Sequence, residues 1–361
     1  METVKLSYSS ASKYKQCATK YFISKDYKTT DIYSSLIFGK AVEEGVSALL
    51  DGEPLDQAIE RFIEFWAVEN NGDPDTENDL YGNPDISFFN SDYDDILLKD
   101  DDKKVILKDC EDLLGVSKWE AEFAKLNASK KPLTTKQKSF VNIVYWHSMR
   151  RRGEIMIKAF NKQLLPKIEK VYEKQKIISL CNESGDEIIG FLDFIVKLKD
   201  VEGPVVLDLK TAARAYMMHA LDTSEQLKVY LAGVFEEYKT LNAGYMVLLK
   251  KPKVVKTCDK CGAERPHKSL AKNCKSCGKG KYTINDFEGV TQLIYKTFEE
   301  SEINGVLDDY LNICDAIRNG IKFKNPSNCF MYGNQCEFYD ACWKGKDLHK
   351  LKHLVKKEKK S

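Results

Sequence analysis

Two segments of the chain, EIIGFLDFIVKL at residues 187–198 and PVVLDLKTA at residues 204–212, determine the fold class. Both are rich in β-branched and aromatic residues, and turn-forming residues separate them, so we expect two paired strands. A segment with helical periodicity precedes them, and a helix and a further strand, AGYMVLL, follow. This alternation of helices and strands predicts an α/β core.

Charged residues within these two strands indicate a metal site. Asp208 and Lys210 are separated by one residue, and because alternate side chains of a strand share a face, both project the same way. Asp193 interrupts an apolar run, where a buried carboxylate needs a cation or a partner. Pairing the two strands places Asp193 near Asp208. Two adjacent carboxylates form the oxygen-rich, negatively charged site that Mg²⁺ or Mn²⁺ accepts.

Two predicted helices complete this site. In the helix at residues 34–50, Glu43 lies at the edge of the buried stripe, so it is the better inward-facing ligand of its glutamate pair. In the helix at residues 224–238, Gln226 and Tyr230 are four residues apart and face one way. Both can therefore address a substrate beside the sheet.

Four short motifs resemble, in order, the successive motifs of RecB-type PD-(D/E)xK nucleases: GKAVEEG, GFLDFI, LDLKT and QLKVY. The capped, helix-like segment SYSSASKYKQCATKYF at residues 7–22 resembles the N-terminal segment of the same family. That family includes the RecB and AddB nuclease domains, many phage exonucleases and the CRISPR-associated RecB-like exonucleases. Two departures are Glu43, where the family often has histidine, and Ala18, where it usually has proline.

The resemblance implies a restriction-endonuclease-like core, in which helices flank a central mixed sheet. It also implies three ligands for a Mg²⁺ or Mn²⁺ ion, namely Glu43, Asp193 and Asp208. Lys210 would orient or help to deprotonate the attacking water, because a metal-bound water ionises near neutral pH. Gln226 and Tyr230 would position the scissile nucleotide and its phosphate.

The function implied is that of a metal-dependent exonuclease that hydrolyses single- or double-stranded DNA in replication, recombination or repair. A structure-selective endonuclease is an alternative, and so is a DNA-binding recombination accessory protein with a vestigial nuclease site. In the plainest alternative, Asp208 and Lys210 form an ordinary exposed ion pair. The sequence contains no G-x-x-x-x-G-K-[ST] phosphate loop, so any motor would be a partner, such as a helicase or a recombination protein.

Composition agrees with a globular protein and leaves the partner open. Of 361 residues, 43% are hydrophobic and 31% are charged, a profile typical of folded domains. Lys and Arg number 56 against 55 Asp and Glu, so a DNA-binding surface requires segregated charge rather than excess charge. No apolar run reaches the length of a membrane span, and no signal peptide is evident. We therefore expect an intracellular, cytoplasmic protein.

Eleven cysteines are poorly explained by disulfides in such a compartment. Four of them form a C-x2-C-x12-C-x2-C pattern, in which a glycine follows each pair: Cys258, Cys261, Cys274 and Cys277. This spacing is typical of zinc knuckles and ribbons. It predicts a Zn²⁺ site in a basic ribbon inserted at one edge of the core. Either the ribbon supplies local folding energy or its lysines guide a DNA strand.

A second cysteine group resembles the cluster that several RecB-type nucleases use to hold a [4Fe-4S] centre. Its C-terminal members are Cys329, Cys336 and Cys342, and Cys17 occupies the N-terminal place. The resemblance implies that four thiolates from the two chain ends bind the cluster. Six residues separate the first two C-terminal cysteines, where the family usually has two. A zinc site and free buried thiols therefore remain alternatives.

These features divide the chain into six predicted segments: N-terminal helices with Cys17 and Glu43 (1–50), a helical and acidic insertion (51–133), the catalytic core (134–250), the zinc ribbon (251–284), a C-terminal helix with the cysteine cluster (285–345) and a basic tail (346–361). Within the insertion, residues 68–112 are acidic and turn-rich, so we expect an irregular segment, either a mobile lid or a solvated loop. The tail is either solvated or attracted to DNA.

Overall fold

The computed structural model describes residues 3–30, 32–69, 78–79, 86–87, 97–265, 271–331 and 334–357. In chain order, the elements are β1 (Lys5–Ser7), α1 (Tyr8–Gln16), α2 (Ala18–Asp26), β2 (Tyr27–Thr29), β3 (Ile32–Tyr33), α3 (Ser34–Leu50), α4 (Leu55–Ala67), β4 (Val68–Glu69), β5 (Asn78–Asp79), β6 (Ile86–Ser87), α5 (Asp100–Leu114), α6 (Trp119–Asn127) and α7 (Thr135–Gln163). They continue with β7 (Ile168–Cys181), β8 (Glu187–Leu198), β9 (Pro204–Ala212), α8 (His219–Asp222), α9 (Glu225–Tyr238), β10 (Asn242–Cys258), β11 (Tyr282–Thr297), α10 (Glu300–Arg318), β12 (Phe330–Met331), β13 (Asn334–Gln335), α11 (Tyr339–Lys344) and β14 (Leu354–Lys356). Short 3₁₀ turns lie at Leu165–Lys167, Pro326–Asn328 and Leu348–Lys350.

A six-stranded mixed sheet forms the centre of the molecule. Its main order is β1-β8-β9-β10-β11, and β7 pairs with β8. The β1–β8 and β9–β10 pairs are parallel, and the other pairs are antiparallel. Strand β7 pairs along one edge of β8. The opposite edge of β8 pairs with β1 at residues 187–189 and with β9 at residues 194–197. Between these two pairings, that edge of β8 is open.

Helices cover both faces of the sheet, and a separate hydrophobic core lies on each face. One core packs α3, α4, α5, α6 and α7 against strands β8 to β10. The other core packs α1, α2, α9 and α10 against the opposite face. Strands with apolar residues on both faces are expected where helices cover both sides of a sheet. The predicted α/β class, with a central mixed sheet flanked by helices, is confirmed.

Capping residues fix the predicted helices near the sheet. Thr134 accepts a hydrogen bond from Gln137 N at 3.3 Å, and Gln137 Oε1 accepts from Thr134 N, which forms a capping box at the start of α7. Ser224 caps α9 in the same way, accepting from Leu227 N at 3.2 Å. These local interactions set the helix starts, as the sequence predicts.

The prediction of one helix over residues 7–22 is wrong, because the chain breaks at Cys17. This residue is extended, with φ −167° and ψ 105°, and it separates α1 from α2. The C-terminal segment binds the first turn of α2, since Thr19 N and Thr19 Oγ1 each donate a hydrogen bond to Phe323 O at 3.0 Å. Contact with the C-terminal segment therefore overrides helical propensity.

Two further expectations need correction. Residues 100–112 lie in α5, not in an irregular segment. Three aspartates occupy the first turn of α5, where they interact favourably with the helix dipole, and Ile106 and Cys110 are buried. The basic tail is not simply solvated either, because β14 pairs antiparallel with β2. Most of the remaining acidic insertion lies outside the described residues.

The strand predicted at AGYMVLL is longer than expected. Strand β10 continues to Cys258 and pairs with β11 over almost its whole length, so the described residues between 251 and 284 form the outer part of a long hairpin. We call residues 251–284 the arm. None of the described helices combines the length and hydrophobicity that a bilayer span requires.

Candidate active site

Asp193 and Asp208 lie where strands β8 and β9 separate. Phe194 and Leu207 are the last paired residues of these strands, and Asp193 and Asp208 are the next residue on each strand. Beyond that point Asp193 Oδ2 accepts a hydrogen bond from Leu209 N at 2.7 Å. The structure therefore places the two carboxylates side by side at the open edge of β8, as the hairpin prediction expects.

Lys210 and Gln226 hold Asp208. Lys210 Nζ lies 2.5 Å from Asp208 Oδ2 and donates to Gln226 Oε1 at 3.1 Å. Gln226 Nε2 donates in turn to Asp208 Oδ1 at 2.9 Å. One amide thus bridges the carboxylate and the ammonium, which fixes both side chains relative to the sheet.

Tyr230 extends this hydrogen-bond network to the backbone of β8. Its hydroxyl accepts from Gln226 Nε2 at 2.7 Å and donates to Phe191 O at 2.5 Å. The ring is buried, 4% exposed, and neither Tyr230 nor Gln226 lines the adjacent cleft. In this geometry both residues position Asp208, Lys210 and the β8 backbone, whereas the resemblance implied that they position the nucleotide itself.

Glu43 approaches the carboxylates from α3. Gln175 Nε2 donates to Glu43 Oε1 at 3.3 Å. Gln175 stands in β7 with φ +50°, in the left-handed region that a residue other than glycine rarely adopts. Its neighbours Lys174 and Lys176 pair with residues 194 and 192 of β8, so Gln175 is level with Asp193. Gln175 was not predictable from the sequence, since no motif distinguishes it from other polar strand residues.

The carboxylates repel one another inside a partly dry site. Burial, together with the negative charges of Asp208 and Glu43, raises the pKa of Asp193 to about 8. Burial also raises the pKa of Asp208, which Lys210 opposes. The pKa of Glu43 is raised mainly by burial, although the hydrogen bond from Gln175 opposes the shift. Burial acts to lower the pKa of Lys210, but the adjacent Asp208 outweighs it and raises that pKa.

The chemistry of this donor set suits a hard divalent cation, although among the described residues only the four cysteines at 258–277 are gathered closely enough to form a ready-made metal site. Three carboxylates offer oxygen ligands, and their mutual repulsion is the condition that a bound Mg²⁺ or Mn²⁺ relieves. Asp208 Oδ2 is buried and accepts no hydrogen bond from the described residues, although the Lys210 ammonium lies beside it. A buried carboxylate oxygen without a hydrogen bond is suited to be a metal ligand.

A cleft of about 1370 Å³ opens onto these residues. Glu43, Asp193 and Lys210 line it, together with residues of α3, β7 and the tail strand β14. A metal-bound water and a phosphate would both have access to the carboxylates from this cleft. The arrangement is suited to the attack of water on a phosphodiester.

A family model described as the PD-(D/E)XK nuclease superfamily matches residues 5–343. The chain belongs to this superfamily. The comparison with curated proteins gives no significant match. The family membership confirms the resemblance noted from the motifs, and it makes the protein a metal-dependent nuclease with DNA as the implied substrate.

The nuclease carries its four-cysteine group at the end of the arm. The sulfur atoms of Cys258, Cys261, Cys274 and Cys277 all lie within 4.8 Å of one another. Two Sγ–Sγ distances, Cys258 to Cys277 and Cys261 to Cys274, are 3.6 Å. These thiols form no disulfide, and four sulfurs at this spacing can hold one metal ion. The predicted cluster is therefore present as a metal-binding geometry.

The second cysteine group joins the two ends of the nuclease. Burial raises the pKa of the Cys342 thiol, and the neighbouring Cys17 and Cys329 act in the same direction. Cys336 lies beside these residues in the chain fold, since Cys336 N donates to Cys329 O at 2.7 Å. The Cys336 thiol is near Lys20 and Glu337, and burial raises its pKa to about 11. The N-terminal and C-terminal segments thus meet, but within the described ranges the four sulfurs of this second group are not gathered as closely as those of the arm, the one group placed to hold a metal ion.

Proposed function

We propose that this nuclease is an exodeoxyribonuclease that removes nucleotides from DNA ends in replication, recombination or repair. The observation that carries the proposal is that Glu43, Asp193 and Lys210 line one cleft and that Lys210 pairs there with the buried Asp208. The order of the sequence motifs, which resembles that of RecB-type exonucleases, supports action at ends.

Each residue has a separate role in this proposal. A divalent ion held by Glu43, Asp193 and Asp208 would acidify a bound water and polarise the phosphate. Lys210 opposes the rise that burial causes in the pKa of Asp208, and it places a positive charge where negative charge develops during attack. Gln226 is hydrogen-bonded to both Lys210 and Asp208 and fixes their relative positions, so that little reorganisation of these side chains is needed in the transition state.

Digestion of end-labelled linear DNA and of matched circular DNA tests the proposal. We expect Mg²⁺ or Mn²⁺ to support degradation of the linear DNA, with circles left intact and with no cleavage in a chelator. Cleavage of circles or of branched junctions would indicate the structure-selective endonuclease instead. Binding without any cleavage in either metal would indicate an accessory protein with a vestigial site.

We propose further that the four cysteines of the arm bind one Zn²⁺ ion. A segment of this size has too little apolar surface to fold alone, so zinc would supply its folding energy. Elemental analysis should find about one zinc per chain, and joint replacement of Cys258 and Cys261 by serine should remove it. Iron in place of zinc would contradict this assignment.

The arm also has the charge expected of a DNA-binding surface. Residues 251–284 contain ten Lys and Arg against two Asp and Glu, whereas the whole chain has a net charge of +1. Among the described residues, no ion pair involves Lys260, Lys275 or Lys279, all of which are exposed. We infer that these lysines contact the phosphates of DNA that extends beyond the cleft.

Two remaining proposals concern a cluster and a partner. We propose that Cys17, Cys329, Cys336 and Cys342 bind a [4Fe-4S] cluster, supported by the proximity of Cys342 to Cys17 and Cys329.

Because the sequence lacks a phosphate loop for ATP, we propose that a helicase or recombination protein supplies strand separation where the DNA is a long duplex.

A further inference from the structure

Large apolar side chains stand exposed in the catalytic cleft. Leu36 is 68% exposed, Ile177 67%, Phe191 60% and Val355 44%, and all four line the cleft. We call these four residues the apolar shelf. Exposed apolar residues gathered in one concave site, rather than scattered singly, mark a surface that a ligand covers.

The shelf is held rigidly at Phe191. Its carbonyl accepts the Tyr230 hydroxyl at 2.5 Å, and Phe191 pairs across the strands with Ile177. The preceding Gly190 lies so close to Ile178 that a Cβ there would approach Ile178 Cγ1 to 2.8 Å. Among the described rings, none stacks on Phe191. The backbone is therefore fixed while one aromatic face remains open.

Phe191 lies close to the metal ligands. One residue separates it from Asp193, which corresponds to roughly 7 Å along an extended strand. A base attached to the nucleotide whose phosphate sits at the carboxylates can therefore reach the ring. The shelf is part of the same site, so its ligand is part of the substrate.

Unpaired cations accompany the shelf. Lys28 and Lys40 line the cleft, both are exposed, and neither takes part in an ion pair within the described part of the chain. A groove that combines free lysines with an aromatic face is suited to a single strand, because the lysines meet phosphates and the ring stacks on a base. In a duplex the base faces are already covered by their neighbours.

We propose that the apolar shelf binds unpaired nucleobases, and that the nuclease therefore cleaves single-stranded DNA or unpaired DNA ends in preference to blunt duplex. This inference rests on the proposed nuclease function and narrows its substrate. Phe191 would act as a specificity residue by stacking on the base next to the scissile phosphate.

The first test compares Phe191→Ala, Phe191→Trp and the wild type on labelled single strands. Stacking contributes about 1–3 kcal/mol per base, so kcat/KM for Phe191→Ala should fall by about 5- to 140-fold at 1.4 kcal/mol per tenfold. Phe191→Trp keeps an aromatic face and should retain most of the rate. Val105→Ala removes a side chain that is 48% exposed on α5, away from the cleft, and should change nothing.

The second test measures stacking without cleavage. A single-stranded oligonucleotide with 2-aminopurine near its end, bound to the Asp208→Asn variant, should lose fluorescence because the base stacks on Phe191. Addition of Phe191→Ala to that variant should abolish the loss. Equal quenching in both proteins, or equal wild-type rates on single strands and blunt duplex, would overturn the proposal. If no DNA is cleaved, quenching still supports the shelf and only the proposed nuclease function fails.

Discussion

Asp208 and Lys210 depend on each other more than on the rest of the site. Asp208 is 2% exposed, and a buried carboxylate without its cation is costly. In Lys210→Ala the Asp208 carboxyl therefore loses its ammonium partner and holds its proton. In Asp208→Asn the side-chain oxygen still accepts the hydrogen bond from Gln226. Both changes remove transition-state stabilisation, so they should act on kcat rather than on packing.

We expect Asp208→Asn and Lys210→Ala each to lower kcat by about a hundred- to a thousandfold, the scale on which one electrostatic group contributes to an active site. The melting temperature and DNA affinity should change little. Lys176→Ala, which breaks the ion pair of β7 with Glu237 of α9, is the control and should keep its rate. Wild-type cleavage by either active-site variant would show that these residues are not catalytic.

Asp193 should couple metal binding to pH. Its pKa in the metal-free protein is about 8, against an ordinary value of 3.8, so the carboxyl is protonated at neutral pH and a metal must displace the proton. The affinity for Mn²⁺ should rise about tenfold per pH unit up to pH 8 and then level off. Calorimetry in two buffers should detect about one released proton at pH 7, and Asp193→Asn should release fewer.

The raised pKa of Asp193 also makes the stability of the metal-free protein depend on pH. A higher pH favours metal binding but lowers this stability. The folded protein holds this proton more tightly than the unfolded chain, so the contribution is favourable at low pH and is lost as pH rises from about 4 to 8. Metal-free Asp193→Asn should therefore lose less thermal stability than the wild type between pH 6 and 9. A steeper loss in the variant would contradict the assigned pKa direction.

At the scale of elements, the β10–β11 hairpin connects the active site to the arm. Strand β10 lies beside β9, which carries Asp208 and Lys210, and their last pair is Leu249 with Ala212. From there the hairpin continues to Cys258, a length of roughly 30 Å at 3.3 Å per residue. The arm therefore projects from the end of the catalytic strand that lies beyond Lys210.

Charge reversal at Lys260, Lys275 and Lys279 should weaken DNA binding without altering chemistry. Each lost phosphate contact lowers the slope of log Kd against log salt by about 0.9, so the triple glutamate variant should lose up to about three units of slope. The defect should disappear on DNA too short to span roughly 30 Å, or about nine base pairs at 3.4 Å each. Fluorescence anisotropy across a salt series measures both effects.

A matched control carries the same charge change at Lys103, Lys104 and Lys108 of α5. If this control weakens binding as much as the arm variant does, net charge rather than the arm accounts for the effect. An unchanged salt slope in the arm variant would leave local folding as the role of the ribbon.

At the scale of the whole molecule, the two chain ends close on one another. The N-terminal helices contact the C-terminal segment through Thr19 and Phe323, through the ion pair of Lys20 with Glu337 at 3.0 Å, and through β2 with β14. The tail strand also contributes Val355 to the cleft wall. Disturbance of this closure should therefore reach the cleft as well as the cysteines.

Anaerobically purified protein should be brown, because Cys17, Cys329, Cys336 and Cys342 are proposed to hold a [4Fe-4S] cluster. Cys17→Ser should bleach the visible absorption and lower the melting temperature, since it removes a covalent connection between the chain ends. Cys181→Ser, which changes an exposed thiol, is the control. Colourless wild-type protein with a full complement of zinc at these cysteines would replace the cluster by a zinc site.

The sequence alone was sufficient for strands β8 and β9 and for the ordered motifs. β-Branched and aromatic residues between turn-forming residues predicted the two strands, and the D-x-K spacing predicted that Asp208 and Lys210 share one side of β9. Cysteine spacing predicted the four-sulfur group at residues 258–277 because tetrahedral ligation demands pairs that a short turn connects. These features depend on near neighbours in the chain, so they are readable without a fold.

Only the tertiary structure decided which distant residues meet. The break at Cys17 depends on Phe323, and the strained backbone of Gln175 depends on its place opposite Asp193 and beside Glu43. The exposure of Phe191 was not predictable either, since GFLDFI reads as a buried run and only the open edge of β8 leaves that ring in the cleft. Such features arise from packing between segments far apart in sequence, where long-range contacts outweigh local propensity.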